Sequence, residues 1–162
     1  MPDSAAVIDA SPLILLSRIG RLDLLLTLER RLVVPAPVLQ EIRAKGNQDS
    51  TVQEVGRASY LEEVPALPTP EPIRRWDLGK GEASVLAWAM EHPGALALLD
   101  DLEGRRCAEA QGISLLGTAG LVLLSKRRRL IPAAGPVLRE LVAKGMYLSE
   151  ATLASLLRRV GE

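Results

Sequence analysis

A chain of 162 residues with 48% hydrophobic and 25% charged residues reads as one folded globular unit with room for a full core. Its 20 basic and 20 acidic side chains cancel, so bulk charge argues neither for nor against a nucleic-acid partner, and a basic patch has to be local. One cysteine, Cys107, excludes a disulfide framework within the chain and a cysteine-based zinc site. Residues 1–4 lack the basic start and apolar run of a signal peptide, and no apolar stretch approaches the roughly 20 residues that span a bilayer. A cytoplasmic protein without a membrane partner is expected. Phe is absent while Leu, Val and Ala abound, so the core is expected to be aliphatic.

Residues 5–9 form an apolar run too short for a helix, read as a buried strand. Ser11 then suits an N-cap and Pro12 a first helical residue, with a helix over residues 13–17 broken by Gly20. Residues 22–30 predict a second helix with Leu22, Leu25, Leu26 and Leu28 inward. Residues 32–34 predict a strand, and residues 38–45 a helix that starts at Pro37 and stops at Gly46. A polar helix over 49–60 and an edge strand over 61–64 follow. Residues 65–72 carry four prolines and predict extended loop. Gly79 and Gly81 precede a helix over 82–91. Residues 95–99 predict a strand that ends at Asp100 and Asp101, then a helix over 102–111, a strand over 113–116, and helices over 119–129, 134–144 and 149–160. Short apolar strands alternating with helices indicate parallel crossover units. The expected fold is a three-layer α/β/α sandwich around a short-stranded parallel sheet. The chain is expected to be one domain over 1–162, with 133–162 as a helical extension packed on it.

Functional groups in such sheets gather at the carboxyl ends of strands. Asp9, Asp100 and Asp101 sit at such ends, Thr118 follows a third, and Glu41 and Glu82 lie on helices. Each acid has an ordinary explanation when taken alone. Glu41 suits a solvated helix face, the helix dipole favours Glu82 near a helix start, and Asp101 suits a cap. Asp9 is harder to dismiss, because capping falls to Ser11. Brought together, several carboxylates would be costly unless they bound a cation. Oxygen ligands with few His or Cys partners suit Mg²⁺ or Mn²⁺, which keep waters and leave positions for phosphate oxygens. Two such ions about 4 Å apart can clamp an in-line phosphoryl displacement. The single histidine, His92, precedes a proline after a helix and is a poor candidate for a general base.

Four segments carry a resemblance. They are Val7-Ile8-Asp9-Ala10-Ser11-Pro12-Leu13-Ile14, then Val38-Leu39-Gln40-Glu41-Ile42, then Leu78-Gly79-Lys80-Gly81-Glu82-Ala83-Ser84, then Leu98-Leu99-Asp100-Asp101 followed by Arg105 and Ala108. In this order they resemble the PIN-domain superfamily over nearly the whole chain, most closely a prokaryotic branch of PIN-like proteins related to the VapC toxins. The Gly117-Thr118 step and the segment Gly145-Met146-Tyr147-Leu148-Ser149 also resemble that branch. The resemblance implies a metal-dependent ribonuclease that uses Mg²⁺ or Mn²⁺, with Asp9, Glu41, Glu82 and Asp101 in catalysis. It implies metal binding by Asp9, Glu82 and one of Asp100 and Asp101, Asp101 being favoured by register, with Ser11 and Thr118 in support. Glu82 stands where many of the toxins carry aspartate.

Arg105 lies about one helical turn beyond the acidic doublet and is a candidate RNA contact, as are Arg75 and Trp76 in their loop. The run Lys126-Arg127-Arg128-Arg129 also suits a solvated helix end. Expected partners are an RNA substrate, an antitoxin protein and a second copy of the chain in a homodimer. The alternative is a PIN-like module that binds RNA or protein without catalysis. A receiver-like phosphotransfer domain ranks behind both, because it leaves Glu82 without a role.

Overall fold

The computed structural model describes residues 4–162; residues 1–3, on which the expectation of no leader partly rests, lie outside the described residues. Five strands carry the chain through one sheet: β1 (Ala5–Ile8), β2 (Arg31–Pro35), β3 (Leu61–Val64), β4 (Leu96–Leu98) and β5 (Ser114–Leu116). All pairings are parallel and the order is β3-β2-β1-β4-β5. Every residue of β1 is buried, as unbroken apolar sequence demands of a central strand covered on both faces. Helices flank the sheet as a three-layer α/β/α sandwich, the expected architecture. No helix among the described residues is long and apolar enough to cross a membrane.

The strand order reverses between β1 and β4. The chain moves outward one way through β2 and β3, then returns past β1 to build β4 and β5. Crevices open at such reversals, outside the carboxyl ends of the strands. Here the register Val7 to Ala97 and Ile8 to Leu98 continues into an Asp9 N–H bond to the Leu98 carbonyl at 3.0 Å. This last rung places Asp9 level with the residues that follow β4.

Nine helices occur among the described residues: α1 (Ala10–Arg18), α2 (Ala36–Arg43), α3 (Ser50–Arg57), α4 (Glu71–Arg74), α5 (Lys80–Glu91), α6 (Leu102–Ala110), α7 (Thr118–Arg127), α8 (Gly135–Ala143) and α9 (Glu150–Arg158). Four local expectations are corrected. First, Ser11 is not the N-cap of α1. The helix begins directly off the strand, Asp9 is its N-cap, and Ser11 and Pro12 occupy the first turn. Pro12 fits there because its missing N–H is one of the donors that the first turn leaves unpaired anyway.

Second, residues Leu22–Leu28 wind as a 3₁₀ helix, closed by Glu29 at φ 50. At three residues per turn Leu22, Leu25 and Leu28 align inward, and Leu26 turns out, 50% exposed. Third, the proline-rich stretch is extended only as far as Pro70, because Pro72 is tolerated in the first turn of α4. Fourth, α5 begins at Lys80, with Gly79 as its N-cap and Gly81 inside the first turn.

The core is aliphatic: Leu13, Leu16, Leu25, Leu86, Leu98, Leu121 and Leu138 are fully buried. Part of the basic run is tied down internally. Lys126 donates to the Pro132 carbonyl at 2.8 Å, and Arg128 donates to the Thr27 carbonyl and meets Glu29 at 3.3 Å. The Glu162 carboxylate accepts from the N–H groups of Ala134 and Gly135 at 2.7 and 3.0 Å, which fastens the chain's last residue to the start of α8.

Candidate active site

A cleft of about 740 Å³ opens at the β1–β4 reversal. Its lining includes Asp9, Glu41, Glu82 and the adjacent pair Asp100 and Asp101, drawn from four places in the sequence. Asp9 ends β1, and Asp100 and Asp101 follow β4. Glu41 comes from α2 and Glu82 from the first turn of α5, two helices that pack on each other. Ser11 and Arg105 line the same cleft. Arg75 and Trp76 do not: Arg75 meets Glu71 at 3.7 Å, and Trp76 is half-buried against the core. His92 lies at the other end of α5, its ring stacked on Trp88 at 3.6 Å and its Nδ1 2.8 Å from the Trp88 carbonyl.

Asp9 is the most deeply held of the acids, only 5% exposed. Its pKa is pushed up to about 6, first by burial and then by the charges of Glu41, Asp100 and Asp101, while the Ala10 N–H offsets part of the rise. Glu82 is pushed up to about 7. Burial contributes most, then the Asp101 and Asp9 charges, and a protonated Glu82 donates to Asp101. Burial disfavours the charged form and like charges add to that. The charged neighbours that raise these two groups are the other acids of the cleft.

The acidic doublet divides its labour. Asp100 is occupied on both oxygens. Its Oδ1 accepts from the Thr118 N–H at 2.7 Å, and its Oδ2 accepts from Thr118 Oγ at 2.6 Å and Ser11 Oγ at 3.3 Å. Thr118 is itself fully buried at the start of α7. Asp101 is the N-cap of α6, its Oδ2 accepting from the Gly104 N–H at 3.1 Å. The capping explanation of Asp101 therefore holds together with its place in the cleft.

Three glycines make this crowding feasible. A Cβ on Gly81 would lie 2.9 Å from Glu41 Oε2 and 3.5 Å from Asp9 Oδ1. One on Gly104 would lie 2.6 Å from Leu99 Cδ1 and 3.2 Å from Glu82 Oε2. One on Gly117 would lie 2.8 Å from Arg105 Nη1 and 3.2 Å from Asp100 Oδ1. Backbone takes the place of side chains where the acids and Arg105 approach.

Among the described residues no three His, Cys, Asp or Glu side chains form a closed metal-holding group. The donor chemistry nonetheless fits a hard cation. Mg²⁺ keeps several waters and takes only one or two carboxylates, so it needs an open set of oxygens. Asp101 faces the cleft beside Glu82, and Asp9 and Glu82 carry charge that a cation would relieve.

Two further cleft residues, Arg18 and Tyr147, escaped the sequence reading. Arg18 had a signal: Ser11, Leu15 and Arg18 follow helical spacing on α1 and share the cleft. Tyr147 lies in the connection between α8 and α9, far from the acids in sequence, and its segment was marked only by the resemblance, with nothing to place it at the cleft.

A family model described as a PIN domain (DUF3368) matches residues 5–162. No curated protein matches the sequence. PIN domains are in general nucleases, which fits an acidic cleft at the carboxyl ends of a parallel sheet. On a match that spans nearly its whole length, the chain belongs to the PIN-domain family.

Proposed function

We propose that this protein is a Mg²⁺- or Mn²⁺-dependent endoribonuclease of the cytoplasm, and the toxin of a toxin–antitoxin pair akin to the VapC branch. One observation carries the catalytic part: acids from separate elements line one cleft, where burial first and their mutual repulsion second raise the pKa of both Asp9 and Glu82. Such repulsion is costly to a folded chain unless the site binds a cation in use. Asp9, Glu82 and Asp101 would hold the ion, with Asp100 beside them, and Glu41 would complete the catalytic set. When bound, such an ion activates water and neutralises charge on the phosphate under attack.

The chain's own groups do the rest. Thr118 and Ser11 fix Asp100 by three hydrogen bonds. Arg105, which has no ion-pair partner among the described residues, is a cation for a substrate phosphate. The toxin role rests on the resemblance of the sequence, and the partners it brings are RNA, an antitoxin and a second copy of the chain. Residues 133–162 serve as the helical extension of a single domain.

Purified protein is expected to cut RNA with Mg²⁺ or Mn²⁺, to stop in chelator, and to lose activity in Asp9→Asn. Cleavage that persists in that variant sinks the assignment. Calorimetric titration with no Mn²⁺ binding at millimolar metal favours a PIN-like module that binds without cutting.

A further inference from the structure

We propose that Tyr147, on the rim of the acidic cleft, stacks on an unpaired base of the nucleic-acid substrate and so positions the phosphate to be cut; this rests on the nuclease reading above. Tyr147 is 95% exposed, the most exposed large apolar residue among those described, and it lines the same cleft as the five acids. Such exposure brings folding nothing. A free aromatic ring beside a charged cleft offers an apolar face with a polar tip for contact.

The ring is also presented on an anchored backbone. Its neighbours Met146 and Leu148 both pack against the core, so the chain alternates in, out, in across the three residues. The Met146 N–H bonds the Leu141 carbonyl at 2.9 Å, and Arg18 Nη1 bonds the Lys144 carbonyl at 2.9 Å. A platform held at both sides orders little on binding.

Charge selects the occupant. Arg105 and Arg18 line the cleft with the acids, and Leu102, 60% exposed, adds a second apolar surface just after Asp101. Cations for phosphates, apolar faces for bases and acids for a cation together match a single strand. In a duplex the base faces are covered by their neighbours, so the stacking partner is an unpaired base.

The test measures binding and cutting separately. Fluorescence anisotropy in chelator reads affinity for a labelled single-stranded RNA oligonucleotide, and Mn²⁺ assays on the same RNA read cleavage. Tyr147→Ala is expected to weaken binding about five- to hundredfold, while Tyr147→Phe and Tyr147→Trp stay near wild type. Replacing one nucleotide by an abasic residue should weaken the wild type by a similar factor and leave Tyr147→Ala unaffected at that position. A lost fold would not produce that position-specific cancellation. Wild-type protein that binds but does not cut refutes the nuclease reading and leaves stacking standing. Stacking is overturned by wild-type affinity in Tyr147→Ala, by equal losses at every abasic position, or by wild-type protein that binds no RNA. A variant that binds RNA normally but sediments differently assigns the ring to a protein contact and equally overturns it.

Discussion

Asp9 costs the folded chain stability that its own substitution should return. Its carboxyl is 5% exposed, and its pKa stands at about 6 against an ordinary 3.8. At about 1.36 kcal/mol per pKa unit, that rise sets roughly 3 kcal/mol against the ionised form. The sign is fixed by proton binding. From about pH 4 to 7 the folded chain keeps a proton that the unfolded chain has released, so the free energy of unfolding falls as pH rises. Glu82, raised from 4.5 to about 7, acts in the same direction. It is less buried than Asp9, and solvent screening reduces its share.

Asn keeps the shape of Asp9 without the charge. In chelator at pH 8, Asp9→Asn should melt above the wild type, by up to about 6–12 °C for a chain of this size. Near pH 4 the two curves should approach one another. Thermal melts followed by circular dichroism across this range decide the matter. A variant less stable than wild type at pH 8 refutes the electrostatic reasoning. So does a gain of the same size at pH 4, which would reflect packing. Adding Mn²⁺ at pH 8 should reverse the order, because only the wild type keeps the charge that binds the ion.

Other substitutions probe the supports of the site. Gly81→Ala improves a helical position by about 1 kcal/mol, yet its Cβ would lie 2.9 Å from Glu41 Oε2 and push that carboxylate aside. Melting temperature should hold or rise while cleavage falls about ten- to hundredfold, by initial-rate assay. Thr118→Val removes the 2.6 Å donor to Asp100 at a fully buried position. Urea titration should show a loss of about 1–3 kcal/mol, which Thr118→Ser recovers. Ser17 Oγ is buried with no hydrogen-bond partner among the described residues. Ser17→Ala should therefore stabilise α1 by about 1 kcal/mol in the same titration without altering cleavage.

Most of the architecture was legible because its signals are local. The apolar runs that became β1 and β4 are too short for helices, and each is followed by acids and a helix. Asp9, Asp100 and Asp101 could be named for the same reason: a strand end fixes where the next residue lies. What stayed hidden depends on contacts distant in sequence. Asp100 was left open against Asp101, and its engagement by Thr118 and Ser11 exists only once β5 and α1 flank β4. Gly81 read as a residue ahead of the helix, whereas it lies inside the first turn of α5 and its lack of a side chain is what admits Glu41 and Asp9. The 3₁₀ turn over Leu22–Leu28 was missed because spacings of three leucines suit both helix types, and only packing chose between them.

Glu82 stands where the resemblance to the VapC toxins leads one to expect aspartate, and its longer reach is built into the fold. Its Oε2 extends toward the first turn of α6, 3.2 Å from where a Cβ on Gly104 would lie, close to Asp101. Gly104 cannot carry a side chain there, since Leu99 Cδ1 would stand 2.6 Å away. The extra methylene thus brings Glu82 to Asp101, and Asp101 is the largest charged contributor to its raised pKa. Glu82→Asp withdraws the carboxylate from that neighbour. Its pKa should fall toward the ordinary aspartate value, readable by carboxyl NMR titration in chelator. The variant should also be more stable than wild type near pH 7, where the wild-type group is half-charged under repulsion. Where the long reach serves to hold a cation with Asp101, Mn²⁺ affinity should fall alongside. Weaker repulsion with unchanged Mn²⁺ affinity would place the ion on Asp9 and leave Glu82 as a proton carrier beside it.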